Sequence, residues 1–269
     1  MNRSPIGIFD SGLGGLTVAR AIYDGLPNES TIYFGDTARV PYGPKSPAVV
    51  RRYSLEIAAW LVRQGVKAIV VACNTSTAHA LDALQDACPV PVIGVIGPGA
   101  RAAVAAGSGA PIGVIATAGT VASRAYELAI AALDPGASVV TAACPLLVPL
   151  VEEGWLDHPA ARLIAAEYLR PLQERNIATL VLGCTHYPLL KPLLADILGP
   201  AVALIDSAEE TARAVAGLLH DGRLLGPGAG QDIFHRVAVS DDPERFRQIG
   251  ARFLGAGMAA PEVVALGAH

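Results

Sequence analysis

The chain has few charged and few aromatic residues. Asp, Glu, Lys and Arg make up 16% of its 269 residues, and Phe, Trp and Tyr only 5%. The formal net charge is −4, and the sequence contains no basic run. Because proteins bind the phosphate backbone through clustered Lys and Arg, this composition argues against nucleic acid as a partner.

Membrane-spanning and export segments are also missing from the sequence. No uncharged apolar run reaches the length of about 18 residues that a membrane span requires. The stretch from 90 to 121 comes nearest, but Arg101 and several prolines and glycines interrupt it. The N-terminus lacks the charged segment and apolar stretch of a signal peptide. We therefore expect no membrane partner and a cytoplasmic location.

Motifs that bind metals, nucleotides or cofactors are absent as well. The four cysteines form no CxxC pair and have no zinc-ligand spacing, so we expect free thiols in a reducing cytoplasm. Walker, HExxH and G-x-S-x-G motifs do not occur. None of Lys45, Lys67 and Lys191 lies in a setting typical of a pyridoxal Schiff base. The sequence predicts no metal and no cofactor.

Continuous apolar runs recur along the chain, and we interpret them as buried strands. They lie at residues 6–9, 31–34, 67–72, 90–95, 112–116, 138–142, 178–183, 202–205 and 234–239. Helix-like stretches lie between most of them, at 16–26, 48–64, 76–87, 121–133, 160–175 and 208–220. Strands that are apolar throughout are typical of parallel sheets covered on both faces, so we expect an α/β fold.

The two halves of the chain resemble each other. The string Ile6–Gly12 is echoed by Ile112–Ala118, and a second pair of similar strings surrounds Cys73 and Cys184. We therefore predict two doubly wound, mostly parallel-sheet domains related by pseudo-twofold symmetry.

The domain boundaries follow from the breaks in this pattern. We expect a first α/β domain of residues 1–96 plus 208–269 and a second of residues 97–207. Gly94–Gly99 would be the crossing point, and Asp206-Ser207 the return. The tail would hold helices and one strand that complete the first domain.

Two cysteines come directly after predicted strands. Cys73 is followed by Asn74-Thr75, and Cys184 by Thr185-His186. Ligands of open α/β sheets bind at the carboxyl ends of strands, and a helix N-terminus just beyond would favour a thiolate. One thiol in each half therefore predicts two acid–base or nucleophilic groups that face one substrate.

The other candidate residues have weaker local signals. The turn Asp10–Gly15 would let backbone approach a ligand closely, and the loop containing Pro41–Gly43 follows the second strand. His186 is placed to share a proton with Cys184. A lone glutamate such as Glu152 is usually a solvated helix residue. Cys88 and Cys144 lack polar neighbours, so we interpret them as packing residues.

Several strings together resemble a known family. They are Ile8–Gly15, Gly35–Gly43, Ala72–Thr75, Cys144–Glu152 and Gly183–Leu189, with Ser240–Phe253 as a C-terminal segment. By these strings the chain resembles the glutamate racemases of the cofactor-independent Asp/Glu racemase superfamily. The resemblance covers nearly the whole chain.

The resemblance implies a function and a set of site residues. It implies two α/β domains with the site between them, and interconversion of L- and D-glutamate without a cofactor, which supplies D-glutamate for peptidoglycan synthesis. Cys73 and Cys184 match the catalytic cysteines, the first acting on the D-isomer and the second on the L-isomer. Asp10, His186 and Glu152 match supporting acid–base groups. The substrate-binding residues that it implies are Asp10, Ser11, Pro41, Tyr42, Gly43, Asn74, Thr75, Thr117, Thr120, Thr185 and His186. We expect a homodimer whose small-molecule partner is glutamate.

Other functions remain open at this point. The nearest are aspartate racemase, hydantoin racemase or a related decarboxylase of the same superfamily. A bilobal amino-acid-binding protein would clamp its ligand without turnover. A dithiol redox protein is disfavoured because Cys73 and Cys184 lie far apart in the sequence.

Overall fold

The protein is described by a computed structural model that covers residues 2–107, 109–226, 232–255, 258 and 260–266. Its strands are β1 (Ile6–Asp10), β2 (Thr31–Gly35), β3 (Ala68–Val71), β4 (Val92–Gly94), β5 (Ile112–Ala116), β6 (Val139–Ala143), β7 (Thr179–Gly183), β8 (Ala203–Asp206), β9 (His235–Val239) and β10 (Glu262–Val263). Its helices are α1 (Leu16–Gly25), α2 (Pro47–Arg63), α3 (Asn74–Ala87), α4 (Ile96–Ala106), α5 (Ala118–Ser123), α6 (Ala125–Leu133), α7 (Leu147–Glu152), α8 (Pro159–Glu174), α9 (Lys191–Leu198), α10 (Ser207–Asp221) and α11 (Pro243–Leu254), with a 3-10 turn at Tyr187–Leu190.

The strands form two parallel sheets. The first has the order β10-β9-β2-β1-β3-β4, and the second the order β6-β5-β7-β8. Every strand pair among the described residues runs parallel. The predicted α/β class with two parallel-sheet domains is therefore confirmed. Across the ranges that the structure covers, no helix is both long and apolar enough to cross a membrane.

The two halves also pack in a similar way around glycines at equivalent positions of their central strands. A Cβ added at Gly7 of β1 would lie 3.1 Å from Val66 and 3.3 Å from Leu61. A Cβ added at Gly113 of β5 would lie 2.7 Å from both Leu172 and Ile177. In each half, the missing side chain lets a following segment pack closely on the central strand.

The parallel arrangement brings the polar strand ends to one edge of each sheet. Asp10 ends β1, and Cys73 follows β3 as the N-cap of α3. Thr117 follows β5 as the N-cap of α5, and Cys184 follows β7. These positions are where ligands of α/β sheets bind.

Helix α4 begins within Gly94–Gly99, at Ile96, and its proline lies in the first helical turn, where proline is tolerated. The structure corrects two predictions about local elements. The helix predicted at 121–133 is broken by Arg124, whose φ is +57°. The tail adds two strands to the first sheet, β9 and β10, not one. The exact domain boundaries stay a prediction.

Candidate active site

A cavity of about 410 Å³ lies between the carboxyl edges of the two sheets. Residues that follow strands of both sheets line it. They are Ser11, Gly12, Val40, Pro41, Tyr42, Gly43, Pro44, Cys73, Asn74, Thr75, Thr117, Ala118, Pro145, Val148, Pro149, Glu152, Cys184, Thr185 and His186. Both thiols that the sequence singles out therefore face the same space.

Cys73 lies in a polar but uncharged pocket wall. Its Sγ accepts a hydrogen bond from the backbone N–H of Ser76 at 3.4 Å and lies 3.7 Å from Oγ of Ser11. Burial and the nearby Asp10 carboxylate raise the pKa of the Cys73 thiol to about 11, although Ser76 and Ser11 oppose the shift. The resting form of this cysteine at neutral pH is the thiol.

Asp10 lies behind the cavity wall, not in it. Its side chain is 1% exposed, and Oδ2 accepts a hydrogen bond from Gly12 N–H at 2.9 Å. Burial raises the pKa of this carboxyl, while the positive charge of His186 opposes the shift. Asp10 therefore lies close enough to Cys73 and His186 to interact with both electrostatically.

Two titratable side chains next to Cys184, those of His186 and Glu152, form a hydrogen-bonded pair that we call the Cys184 relay. Nδ1 of His186 lies 3.9 Å from Cys184 Sγ, and Nε2 of the same ring lies 3.0 Å from Oε1 of Glu152. Burial alone would lower the pKa of His186, but its hydrogen bonds with Cys184 and Glu152 raise it to about 10. Cys184 and Glu152 thus favour the protonated form of this ring.

The two thiols consequently have different surroundings. Cys73 faces hydroxyl and backbone groups, with a carboxylate behind it. Cys184 faces the His186 ring, whose protonated form is favoured. This asymmetry suits a pair in which one sulfur holds a proton while the other accepts one.

Three threonine hydroxyls join the two halves of the site. Thr75 Oγ1 lies 2.9 Å from Thr117 Oγ1 and 3.3 Å from Thr120 Oγ1, and Thr117 and Thr120 are 3.0 Å apart. Thr75 and Thr117 line the cavity, whereas Thr120 is 2% exposed and is absent from the lining. Thr120 therefore orients the other two hydroxyls in this structure.

Asn74 offers the cavity an unused donor. Its Oδ1 accepts a hydrogen bond from the hydroxyl of Tyr126 at 2.8 Å. Its Nδ2 is buried and has no hydrogen-bond partner among the described residues. Because buried amides are normally paired, this N–H₂ group is available to an anionic ligand.

Hydrogen bonds to neighbouring residues hold the loop at Pro41–Gly43 in place. The hydroxyl of Tyr42 donates to the fully buried carboxylate of Asp36. The backbone carbonyl of Gly43 accepts a hydrogen bond from the N–H of Gly119 at 3.0 Å, which links the loop to the N-terminus of α5. The loop thereby closes one side of the cavity.

Comparisons with known proteins agree with this geometry. A statistical model of the Asp/Glu/hydantoin racemase family matches residues 14–215. A glutamate racemase of Geobacter metallireducens is 57% identical over 250 residues, which are 93% of this chain and 92% of the relative. The chain belongs to the glutamate racemase family.

Solved structures of the glutamate racemase family share the whole fold. Glutamate racemase isoform RacE1 of Bacillus anthracis superposes with a TM-score of 0.94 at 42% identity, over 99% of both chains. The glutamate racemase of Francisella tularensis, solved in complex with D-glutamate, gives a TM-score of 0.92 at 41% identity, also over 99% of both chains.

The apolar part of the cavity wall was not predicted from the sequence. Val40, Pro145, Val148 and Pro149 all line it. Pro145, Val148 and Pro149 lie within the string Cys144–Glu152. The resemblance of that string to the family could have indicated that they line the site. An apolar residue in a cavity wall otherwise looks like any core residue in sequence.

The remaining site residues divide into two groups. Ser11, Pro41, Tyr42, Gly43, Asn74, Thr75, Thr117, Thr185, His186 and Glu152 line the cavity with the two thiols, whereas Asp10 and Thr120 lie behind it. Cys88 and Cys144 are not among the lining residues, and Cys144 Sγ instead contacts the carbonyl of Ala142 at 3.6 Å. Burial and the nearby Cys184 raise the pKa of Cys144 to about 12.

Proposed function

We propose that this protein interconverts L-glutamate and D-glutamate by a two-base mechanism that needs no cofactor. The observation that carries the proposal is the position of Cys73 and Cys184. They follow strands of different sheets and line one cavity. Two groups on opposite walls can remove a proton from one face of Cα and return one to the other without turning the substrate.

The proton transfers are complementary in the two directions. In the L-to-D direction the Cys184 thiolate takes the Cα proton, and the Cys73 thiol delivers its own proton to the opposite face. The reverse reaction exchanges these roles. After each turnover the protons must be redistributed, and His186 with Glu152 provides a path for the Cys184 side.

Charge that develops on the substrate must be stabilised by the protein itself. The groups available are Asn74 Nδ2 and the hydroxyls of Thr75, Thr117 and Thr185. The N-termini of α3 and α5 also point to this edge and favour negative charge. These donors are in place before the substrate binds, which is the arrangement that lowers a barrier most effectively.

The same proposal includes the wider role of the enzyme. D-glutamate made here would serve peptidoglycan synthesis, in the cytoplasm, with the protein as a homodimer. The family resemblance supports the biosynthetic role, and four free cysteines suit a reducing compartment.

The test is incubation of purified enzyme with each enantiomer of glutamate in D₂O, without added cofactor. We expect racemisation with deuterium incorporated at Cα. Parallel assays with L- and D-aspartate separate the proposal from an aspartate racemase. Ligand binding without loss of the α-proton would favour an amino-acid-binding protein, and a requirement for pyridoxal phosphate would refute the mechanism.

A further inference from the structure

Arg252 of α11 lies at the junction between the two halves of the molecule. Its Nη1 donates a hydrogen bond to the backbone carbonyl of Glu152, at the end of α7. Its guanidinium also covers Gly154, where an added Cβ would lie 3.0 Å from Cζ of Arg252. A cation at the C-terminal end of a helix is favourably placed, because it complements the carbonyls exposed there.

The next residue of α11 contacts the partner of Glu152. The ring of Phe253 meets the ring of His186 edge-on, with centroids 5.4 Å apart and an interplanar angle of 85°. Phe253 is 2% exposed, so this contact is part of the packed interior. Two consecutive residues therefore touch both members of the His186–Glu152 pair.

The helix that carries these residues is anchored on the first sheet. A Cβ added at Gly250 would lie 2.9 Å from Leu16 of α1, so the two helices pack closely. Phe246 packs against Tyr33 of β2, with ring centroids 6.1 Å apart. By contrast, His186 follows β7 and Glu152 ends α7, which both belong to the part of the chain that forms the second sheet. α11 is thus a fixed support that reaches across the cleft.

From this arrangement we propose that Arg252 is a positioning residue, which holds Glu152 against His186 so that Cys184 can exchange its proton. The inference rests on the proposed two-base function. It assigns Arg252 to one half of the reaction, because its contact reaches the Cys184 relay, and no described contact joins it to Cys73.

The test compares Arg252→Ala with Arg252→Lys and with Arg247→Ala. Arg247 lies on the same helix and pairs only with Glu244 one turn away among the described residues, so its removal controls for loss of a surface cation. We expect kcat/KM to fall by about three- to tenfold in Arg252→Ala. Lysine, which can donate to the same carbonyl, should restore most of it, and Arg247→Ala should resemble wild type.

Isotope effects show which half-reaction is affected. The enantiomers have equal free energy, so kcat/KM must fall equally in both directions. If proton transfer at Cys184 is slowed, the primary deuterium effect on kcat/KM should rise with α-deuterated L-glutamate and fall with α-deuterated D-glutamate. A general structural defect would leave both isotope effects unchanged.

The outcomes separate this inference from the proposed function. Unchanged kcat/KM, unchanged isotope effects, or changes of the opposite sense in Arg252→Ala would overturn the positioning role. Failure of the wild-type enzyme to racemise glutamate would instead refute the proposed function. Circular dichroism and the unfolding temperature verify that the exposed substitution leaves the fold intact.

Discussion

The hydroxyl of Tyr126 donates a hydrogen bond to Oδ1 of Asn74 at 2.8 Å, which fixes the direction in which the Asn74 amide faces. Tyr126 belongs to α6 in the second half of the chain, and Asn74 begins α3 in the first. The bond leaves Nδ2 of Asn74 as the group without a partner in the described structure. In the proposed reaction, the Asn74 amide that would bind the substrate is thus oriented by a side chain of the other half.

Tyr126→Phe should weaken substrate binding. Without the hydroxyl, the amide of Asn74 has no preferred orientation and its buried Oδ1 loses its partner. We expect KM for glutamate to rise by about tenfold with a smaller change in kcat. Steady-state kinetics with both enantiomers check this.

Tyr23→Phe is the matched control. Tyr23 stacks on His235 at the amino ends of the strands of the first sheet, away from the cavity, with ring centroids 3.9 Å apart. An equal rise of KM in both variants would show that Tyr126 has no special role.

Asp10→Asn should make Cys73 more reactive. The charge of Asp10 adds to burial in raising the pKa of this thiol to about 11. Removing the charge lowers that pKa, so the thiolate fraction at about pH 8–9 increases. The rate of Cys73 alkylation by iodoacetamide, followed by peptide mass spectrometry, should therefore increase.

The half-buried Cys88 in the same sample serves as an internal reference. If Cys73 is alkylated more slowly in the variant than in wild type, the electrostatic role of Asp10 is wrong.

Gly14→Ala should abolish most of the activity. A Cβ at this position would lie 2.5 Å from Cε1 of His186 and still closer to Nδ1 of His186 and Oγ1 of Thr185. These side chains line the cavity, so they would have to move away from Cys184. We expect kcat/KM to fall by roughly two orders of magnitude or more, as expected when a proton-transfer group is misplaced.

Gly217→Ala provides the comparison for that variant. It replaces a glycine inside α10 that has nothing within 4 Å of the added Cβ, and it should retain activity and gain up to about 1 kcal/mol of stability. Wild-type rates in Gly14→Ala would mean that His186 and Thr185 do not need their observed positions.

The distance between the two sulfurs in a complex with glutamate can also be predicted. For one Cα to lie between them, Cys73 Sγ and Cys184 Sγ should be about 6–9 Å apart, with near-contact distances of ~3–3.5 Å to the reacting centre. A crystal structure with bound D-glutamate measures this directly. Sulfurs on the same side of Cα would be incompatible with two-base chemistry.

The sequence was sufficient for the sheets and for the edge that carries the site. Buried parallel strands are apolar throughout, and polar residues such as Asn74 directly after them mark the strand ends. Helix α4 was not predicted, because the Gly-Pro-Gly in its first turn is typical of turns, although these residues are tolerated there. The break in the helix at Arg124 was not predicted, because no glycine stands there to indicate a positive φ.

Residues that act across the cleft were beyond sequence reasoning. Tyr126 and Arg252 each lie on a helix, at positions that look like an ordinary buried and an ordinary exposed residue. Their roles depend on which side chain of the other half they meet. Val148 and Pro149 were missed for a related reason, since burial against a ligand and burial in a core require the same apolar side chain.

The central claim is that each thiol serves one face of the substrate, and elimination from glutamate analogues with a β-leaving group tests it most directly. Removal of the Cα proton expels the leaving group, so a single working thiolate suffices. Cys73→Ser should still eliminate HX from the L-analogue and not from the D-analogue, and Cys184→Ser should show the reverse. Racemisation should collapse in both, while Cys88→Ser stays near wild type. Equal elimination of both enantiomers by both variants would contradict the account.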